Sequence, residues 1–146
     1  MEETKIILLT KEELNLILKK IEALKNSLYE QPEIPIKKKF EKFNLDKILF
    51  PKNDIDNLTL DRIEDFLEKK KKSLENIPQV VIEIAFEPNL DFILKLKNWF
   101  LQKIKKSLIL DIKINPKIIG GAKIYYEGKY FDWSLEKRIK NIKNRI

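Results

Sequence analysis

Apolar positions along this chain follow two different periods. In the first half, Leu14, Ile17, Ile21, Leu24 and Leu28 recur at alternating spacings of three and four residues, which places them on one narrow face of a helix. Thr10 followed by Glu13 has the form of a capping box, so the helix is predicted to open at Thr10 and to end near Tyr29, before Pro32. A second long helix is predicted over 59–76, with Leu60, Ile63, Leu67, Leu74 and Ile77 on its stripe and Lys70 in the seam. Two matching stripes can pack on each other, antiparallel across the proline-containing connection. The Lys69 to Lys72 run reads as a solvated face, with the Lys70 stem lying over apolar neighbours. Between the helices, Pro32, Pro35 and Pro51 punctuate a stretch whose Phe40, Phe43, Leu45, Ile48, Leu49 and Phe50 offer anchors for one or two short helices. Ahead of the first helix, Lys5 to Leu9 has the composition of a short strand.

From Gln79 the period changes. Residues 80–86 are rich in β-branched side chains and read as a strand closed by Pro88, and 91–106 read as an amphipathic helix. On that helix Ile93, Leu96, Phe100 and Ile104 form the expected core stripe, with Phe92 and Trp99 beside it. Two readings of this aromatic pair stand: they cover a sheet edge, or they widen an apolar surface that serves a partner. Residues 107–114 read as a second strand broken at Asn115 and Pro116, and 122–127 and 129–133 as a hairpin turning at Glu127 and Gly128. Ser134 is a good N-cap for a last helix whose stripe is Leu135, Ile139, Ile142 and Ile146. The expected class is α+β. A helical region over 1–78, with two long helices and short ones, forms a reduced bundle or a helical hairpin, and a small mixed α/β domain over 79–146 runs strand, helix, strand, hairpin, helix. A strand-helix-strand connection favours parallel pairing, and the hairpin adds antiparallel ladders.

Composition narrows the chemistry. The 146 residues contain no histidine and no cysteine, which excludes disulfides, thiolate zinc sites, imidazole ligands and nucleophile–histidine catalysis. Ser and Lys residues are not arranged for nucleophilic catalysis, and no phosphate-binding loop or acidic dyad stands at a usable spacing, so neither catalytic residues nor a cofactor or metal is expected. A net charge of +7 points toward nucleic acid, yet only three of the 30 basic residues are arginine, and they are mixed with 23 acidic ones. Abundant Ile, Lys and Asn with scarce Ala and Gly is the usage of an A+T-rich genome. Apolar runs such as Ile6 to Leu9 are far shorter than the ~20 residues of a membrane span.

The three glycines, Gly120, Gly121 and Gly128, fall within nine residues of one another. There the backbone is asked for conformations that a side chain resists. Read together, the strand 80–86, a helix, the strand leading through Asn115 and Pro116 into Gly120 and Gly121, the turn glycine Gly128, and Asp132, Ser134, Leu135 and Arg138 resemble the C-terminal part of the delta subunit of F-type ATP synthases, the family of the oligomycin-sensitivity conferral protein. The resemblance covers about residues 80–146. It is moderately specific, because the E-type stalk protein of vacuolar-type ATPases carries a related pattern of paired glycines, strand and terminal helix.

What the resemblance implies is a non-catalytic peripheral-stalk subunit that links the catalytic head to membrane-anchored b-type subunits. Its partners would be the b-type stalk subunit and the alpha subunit, and its place the cytoplasmic side of the membrane. Seven residues would be structural parts of the motif: Gly120, Gly121, Gly128, Asp132, Ser134, Leu135 and Arg138. Phe92 and Trp99 would be candidates for partner contact. The family places a six-helix bundle at the N-terminus, and residues 1–77 are too few for six ordinary helices. Either a reduced helical domain does that work, or the chain is a diverged stalk protein whose paired helices resemble the vacuolar E-type protein. The remaining alternative is a small basic nucleic-acid-binding or regulatory protein.

Overall fold

The computed structural model describes residues 5–44, 59–118 and 121–132. In chain order the elements are β1 (Leu8–Thr10), α1 (Lys11–Glu30), α2 (Ile36–Phe43), α3 (Leu60–Glu75), β2 (Gln79–Ile84), α4 (Leu90–Lys103), β3 (Leu108–Ile114), β4 (Ala122–Tyr126) and β5 (Lys129–Asp132). The class is α+β, as the change of period predicts. Two compact units result: one holds residues 1–11 and 77–146, the other residues 12–76.

The first unit is built on a five-stranded mixed sheet in the order β1-β3-β2-β4-β5. β3 anchors it. It pairs in parallel with β2, Val80 opposite Leu110 and Ile82 opposite Ile112, and in parallel with β1, Leu8 opposite Leu108. Strands buried on both faces read as continuous apolar runs. Leu108, Ile109 and Leu110 are accordingly all buried in succession, whereas β2 alternates, with Val80, Ile82 and Ile84 buried between more exposed neighbours. Parallel pairing of β2 and β3 requires a crossover, and α4 supplies it. Phe100 of α4 joins Val80, Ile82, Ile84, Leu108, Leu110 and Ile124 in one apolar core, against which Leu96, Ile104, Phe92 and Trp99 also pack.

Two pairings were not legible from the sequence. The hairpin's first strand, β4, lies antiparallel against β2 rather than against its chain neighbour β3, because β3 already has β1 on its other side. The short N-terminal strand also joins this sheet, with Ile7 N–H donating to Ser107 Oγ (2.8 Å), Leu108 N–H to the Ile7 carbonyl (2.9 Å), and Lys11 paired to Asp111 at 3.6 Å.

The second unit is helical. α1 contributes Leu14, Ile21, Leu24 and Leu28 and α3 contributes Ile63, Leu67 and Leu74, all buried on the predicted stripes. Three polar contacts fix their register: Lys25 to Glu68 (2.7 Å), Lys71 to Glu22 (3.8 Å), and the Tyr29 hydroxyl to the Glu64 carboxylate. Moving up one helix from pair to pair moves down the other by a similar count, so the helices run antiparallel. Lys70 is half-buried, in keeping with its seam position. α2 answers the expectation of a short helix after Pro35, while Leu45, Ile48, Leu49 and Phe50 lie outside the described residues.

Two stability outcomes are expected from these placements. Phe100 is 2 % exposed, so Phe100→Ala should cost about 3–5 kcal/mol in urea unfolding, with Leu94→Ala, 55 % exposed on the same helix, changing it by less than about 0.5 kcal/mol. Equal effects at the two positions would contradict the assigned face of α4. At the hairpin, Glu127 and Gly128 have φ of 50° and 74°, the paired positive values of a type I′ turn, and Tyr126 is paired to Lys129. A Cβ at Gly128 would meet nothing within 4 Å, so Gly128→Ala isolates backbone strain and should destabilise by about 1–2 kcal/mol. Glu127→Asn should stabilise slightly, since asparagine favours that turn position.

Candidate functional site

The motif segment is shaped by local hydrogen bonds. Asn115 ends β3 with its N–H on the Ile84 carbonyl (2.7 Å), while its side-chain oxygen accepts from Lys117 N–H (3.1 Å) and its carbonyl accepts from Ile118 N–H (3.1 Å). This is an Asx turn, the conformation that Asn before Pro favours. Its amide nitrogen also reaches Glu83 Oε2 at 3.5 Å, and Ile118 is buried. Gly121 then stands at φ 68°, in the left-handed region, and leads into β4. Gly120 lies outside the described residues, as do Ser134, Leu135 and Arg138, while Asp132 contributes its backbone to the end of β5, paired with Lys123. Gly121 and Gly128 thus bracket β4, one at each end.

Helix α4 opens at Asn89, whose Oδ1 accepts from Phe92 N–H at 2.8 Å; Asn in this place is a strong N-cap, and it starts the helix one residue before the expected Asp91. Phe92 and Trp99 are both half-buried against the core. Phe92 meets Phe86 edge-on with ring centres 5.1 Å apart, and Trp99 meets Phe100 edge-on at 5.0 Å. The exposed apolar side chains of this helix are instead Leu90 (71 %), Leu94 (55 %) and Leu101 (43 %), with Phe86 just upstream. Their spacing of four and seven residues is present in the sequence, but the aromatic pair beside it is the stronger signal there.

In the helical unit the polar contacts carry the electrostatics. The hydrogen bond from Lys25 holds the Glu68 carboxyl below the usual carboxylate range, with the Lys25 charge adding to it, and the same hydrogen bond raises Lys25. Hydrogen bonding to Glu64 raises the Tyr29 phenol. Nothing in its sequence context singles out Lys39. It is 5 % exposed, and its Nζ donates to the carbonyls of Ser27 (2.8 Å) and Leu28 (3.3 Å). The last turn of α1 has no basic residue of its own, so a lysine of α2 supplies the cation that the carbonyl end of a helix favours. Among the described residues no group of three His, Cys, Asp or Glu side chains could hold a metal, and no helix is long and apolar enough to cross a membrane. The arrangement is one of packed faces and fixed registers.

Because Glu68 has a lowered folded-state value, its contribution to stability is present above the ordinary carboxylate range and is lost as pH falls through that lowered value. Thermal melts between pH 7 and pH 3 should therefore show an acid-side loss that is smaller in Glu68→Gln than in the parent. Identical acid limbs would refute a stabilising role for the Lys25–Glu68 contact.

Comparison with known proteins places these features in a family. No curated protein matches the chain. The family model described as "ATP synthase delta (OSCP) subunit" matches residues 8–146, taking in the helical unit as well as the sheet. The strand β1, at the first matched residue, is therefore part of the pattern together with the glycine segment. The chain belongs to the ATP synthase delta (OSCP) subunit family, and is thereby a non-catalytic component of the peripheral stalk of F-type ATP synthase.

Proposed function

We propose that the chain joins the alpha subunit of the catalytic head to the b-type stalk subunit, on the cytoplasmic side of the membrane, with a different unit of the fold meeting each. The observation that carries this reading is the family match over residues 8–146, which spans both units rather than the sheet alone. The helical region would meet the alpha subunit as a reduced form of the family's N-terminal bundle, and the sheet-bearing unit of residues 1–11 and 77–146 would meet the b-type helices. Gly120, Gly121, Gly128, Asp132, Ser134, Leu135 and Arg138 would serve by shaping the closing hairpin and the segment after it, and the half-buried Phe92 and Trp99 by widening the apolar surface of α4 toward a partner.

Support also comes from what the faces are made of. A part that carries torque needs fixed packing, and here a buried lysine, three cross-helix polar contacts and a doubly parallel strand each tie one element to another. Basic residues are interleaved with acidic ones, Lys69 with Asp65 and Lys95 with Asp91, rather than gathered as a phosphate-binding face.

The tagged chain, expressed in its own cells and recovered from detergent-solubilised membranes, should bring down the alpha and b-type subunits. Its retention on immobilised DNA or RNA should be slight at physiological salt. Recovery without ATP synthase subunits, together with nucleic-acid binding that falls steeply as salt rises, would favour the nucleic-acid alternative instead.

A further inference from the structure

We propose that the face of the sheet opposite α4 is closed by the chain's own residues 134–146, laid across it as an amphipathic strap.

Strand pairing sorts the side chains between the two faces. Val80, Ile82 and Ile84, with Leu108, Leu110 and Ile124, lie on the side of α4. Their alternates share the other face, with Leu9 beside Ile109, Val81 beside Tyr125, and Tyr125 beside Tyr130. These five form one apolar band across the five strands, about 19 Å long at ~4.8 Å per strand spacing. Polar residues flank it, Gln79 on one side and Asp111, Glu83, Lys113 and Lys123 on the other.

Exposure falls along the band. Tyr130 is 49 % and Tyr125 40 % exposed, Val81 is half-buried, and Leu9 and Ile109 stand at 8 % and 0 %. α4 lies on the opposite face and cannot cover the last two, so another part of the chain does. The helical unit is a poor source, because the stripes of α1 and α3 are already buried in their own seam.

The sequence that follows the sheet has the required form. β5 is the edge strand at the tyrosine end of the band, and it ends at Asp132. At 3.6 residues per turn, Leu135, Ile139, Ile142 and Ile146 fall within about 60° of arc, and Lys137, Arg138, Lys140, Lys143 and Arg145 take the remainder. Residues 134–146 in helix span about 20 Å, which matches the band. A separate partner would compete with a stripe tethered one residue from the sheet, at an effective concentration of roughly millimolar or more. The cations of this segment are then the outer side of a packed helix rather than a free basic tail.

The native chain has no cysteine, so introduced thiols report alone. In the full-length chain the thiol of Val81→Cys should react slowly with a maleimide, and adding Ile139→Asp with Ile142→Asp should speed it about tenfold. The thiol of Ile114→Cys, 51 % exposed and on the α4 side, should react at one rate in both backgrounds. Lys137→Asp with Lys140→Asp should leave the Val81→Cys rate unchanged. Should the isoleucine changes unfold the chain, a second measurement decides. Under mild oxidation Leu9→Cys with Ile146→Cys should close a disulfide, whereas Tyr130→Cys with Ile146→Cys, at opposite ends of the band, should not. A Val81→Cys rate indifferent to the isoleucine changes, or a disulfide at Tyr130 in place of Leu9, would overturn the strap. A fast rate in the free chain that slows only when ATP synthase subunits are added would give the face to a partner and overturn it equally.

Discussion

The parallel pairing of β2 with β3 is the constraint on which the α/β unit depends. Two parallel strands cannot be joined by a tight turn, so the chain must leave the sheet, cross a face and return. α4 is that crossing. Its return puts Phe100 over Val80, Ile82, Leu108 and Leu110, and this one contact closes the core. Burying large aromatic and branched side chains here contributes roughly 1.5–3 kcal/mol each, which is why the inner positions of β2 reach zero exposure while its other face stays half-open. The same crossing leaves α4 with an outer face that nothing within the sheet can cover. An assembly part benefits from that geometry: the element that closes the core also presents a surface.

In the helical unit a different division of labour holds. The apolar seam of α1 and α3 supplies adhesion, but leucine and isoleucine at heptad spacing would tolerate a slip of one heptad. The polar contacts at its flanks do not, since a slip would part Lys25 from Glu68, Glu22 from Lys71 and Tyr29 from Glu64 together. Exposed pairs of this kind add little stability individually. Their consequence is register. Lys39 acts similarly from α2, where losing its two carbonyl contacts would leave a buried charge uncompensated at the end of α1.

Much of this was legible in the sequence because it is local. The helix stripes, the change to β-branched residues at Gln79, the Asn115 and Pro116 break and the Glu127 and Gly128 turn are each written within a few residues, and the elements formed within a few positions of the expected ends. What was not legible depends on separation. A short strand was expected over Lys5 to Leu9 and forms at Leu8 to Thr10, but its partner β3 lies about a hundred residues later and no local pattern names it. The choice of β2 over β3 as partner for β4 reflects that same occupancy, which no local pattern encodes. Lys39 resembles its neighbours Lys37 and Lys38 in the sequence, and only the packing of α2 against the end of α1 separates the buried member from the exposed ones. The outer stripe of α4 was readable in principle, since the spacing of Leu90, Leu94 and Leu101 is plain. The core face itself, with Leu96, Phe100 and Ile104, forms as the periodicity predicts.

The helical unit is inserted in the chain between β1 and β2, so two covalent links join it to the sheet-bearing unit rather than one. Both links end in strands, and both strands are bonded to β3, one on each side. The two links therefore meet β3 from opposite sides, and β1 is the short piece of chain that gives the sheet its second ladder on that strand.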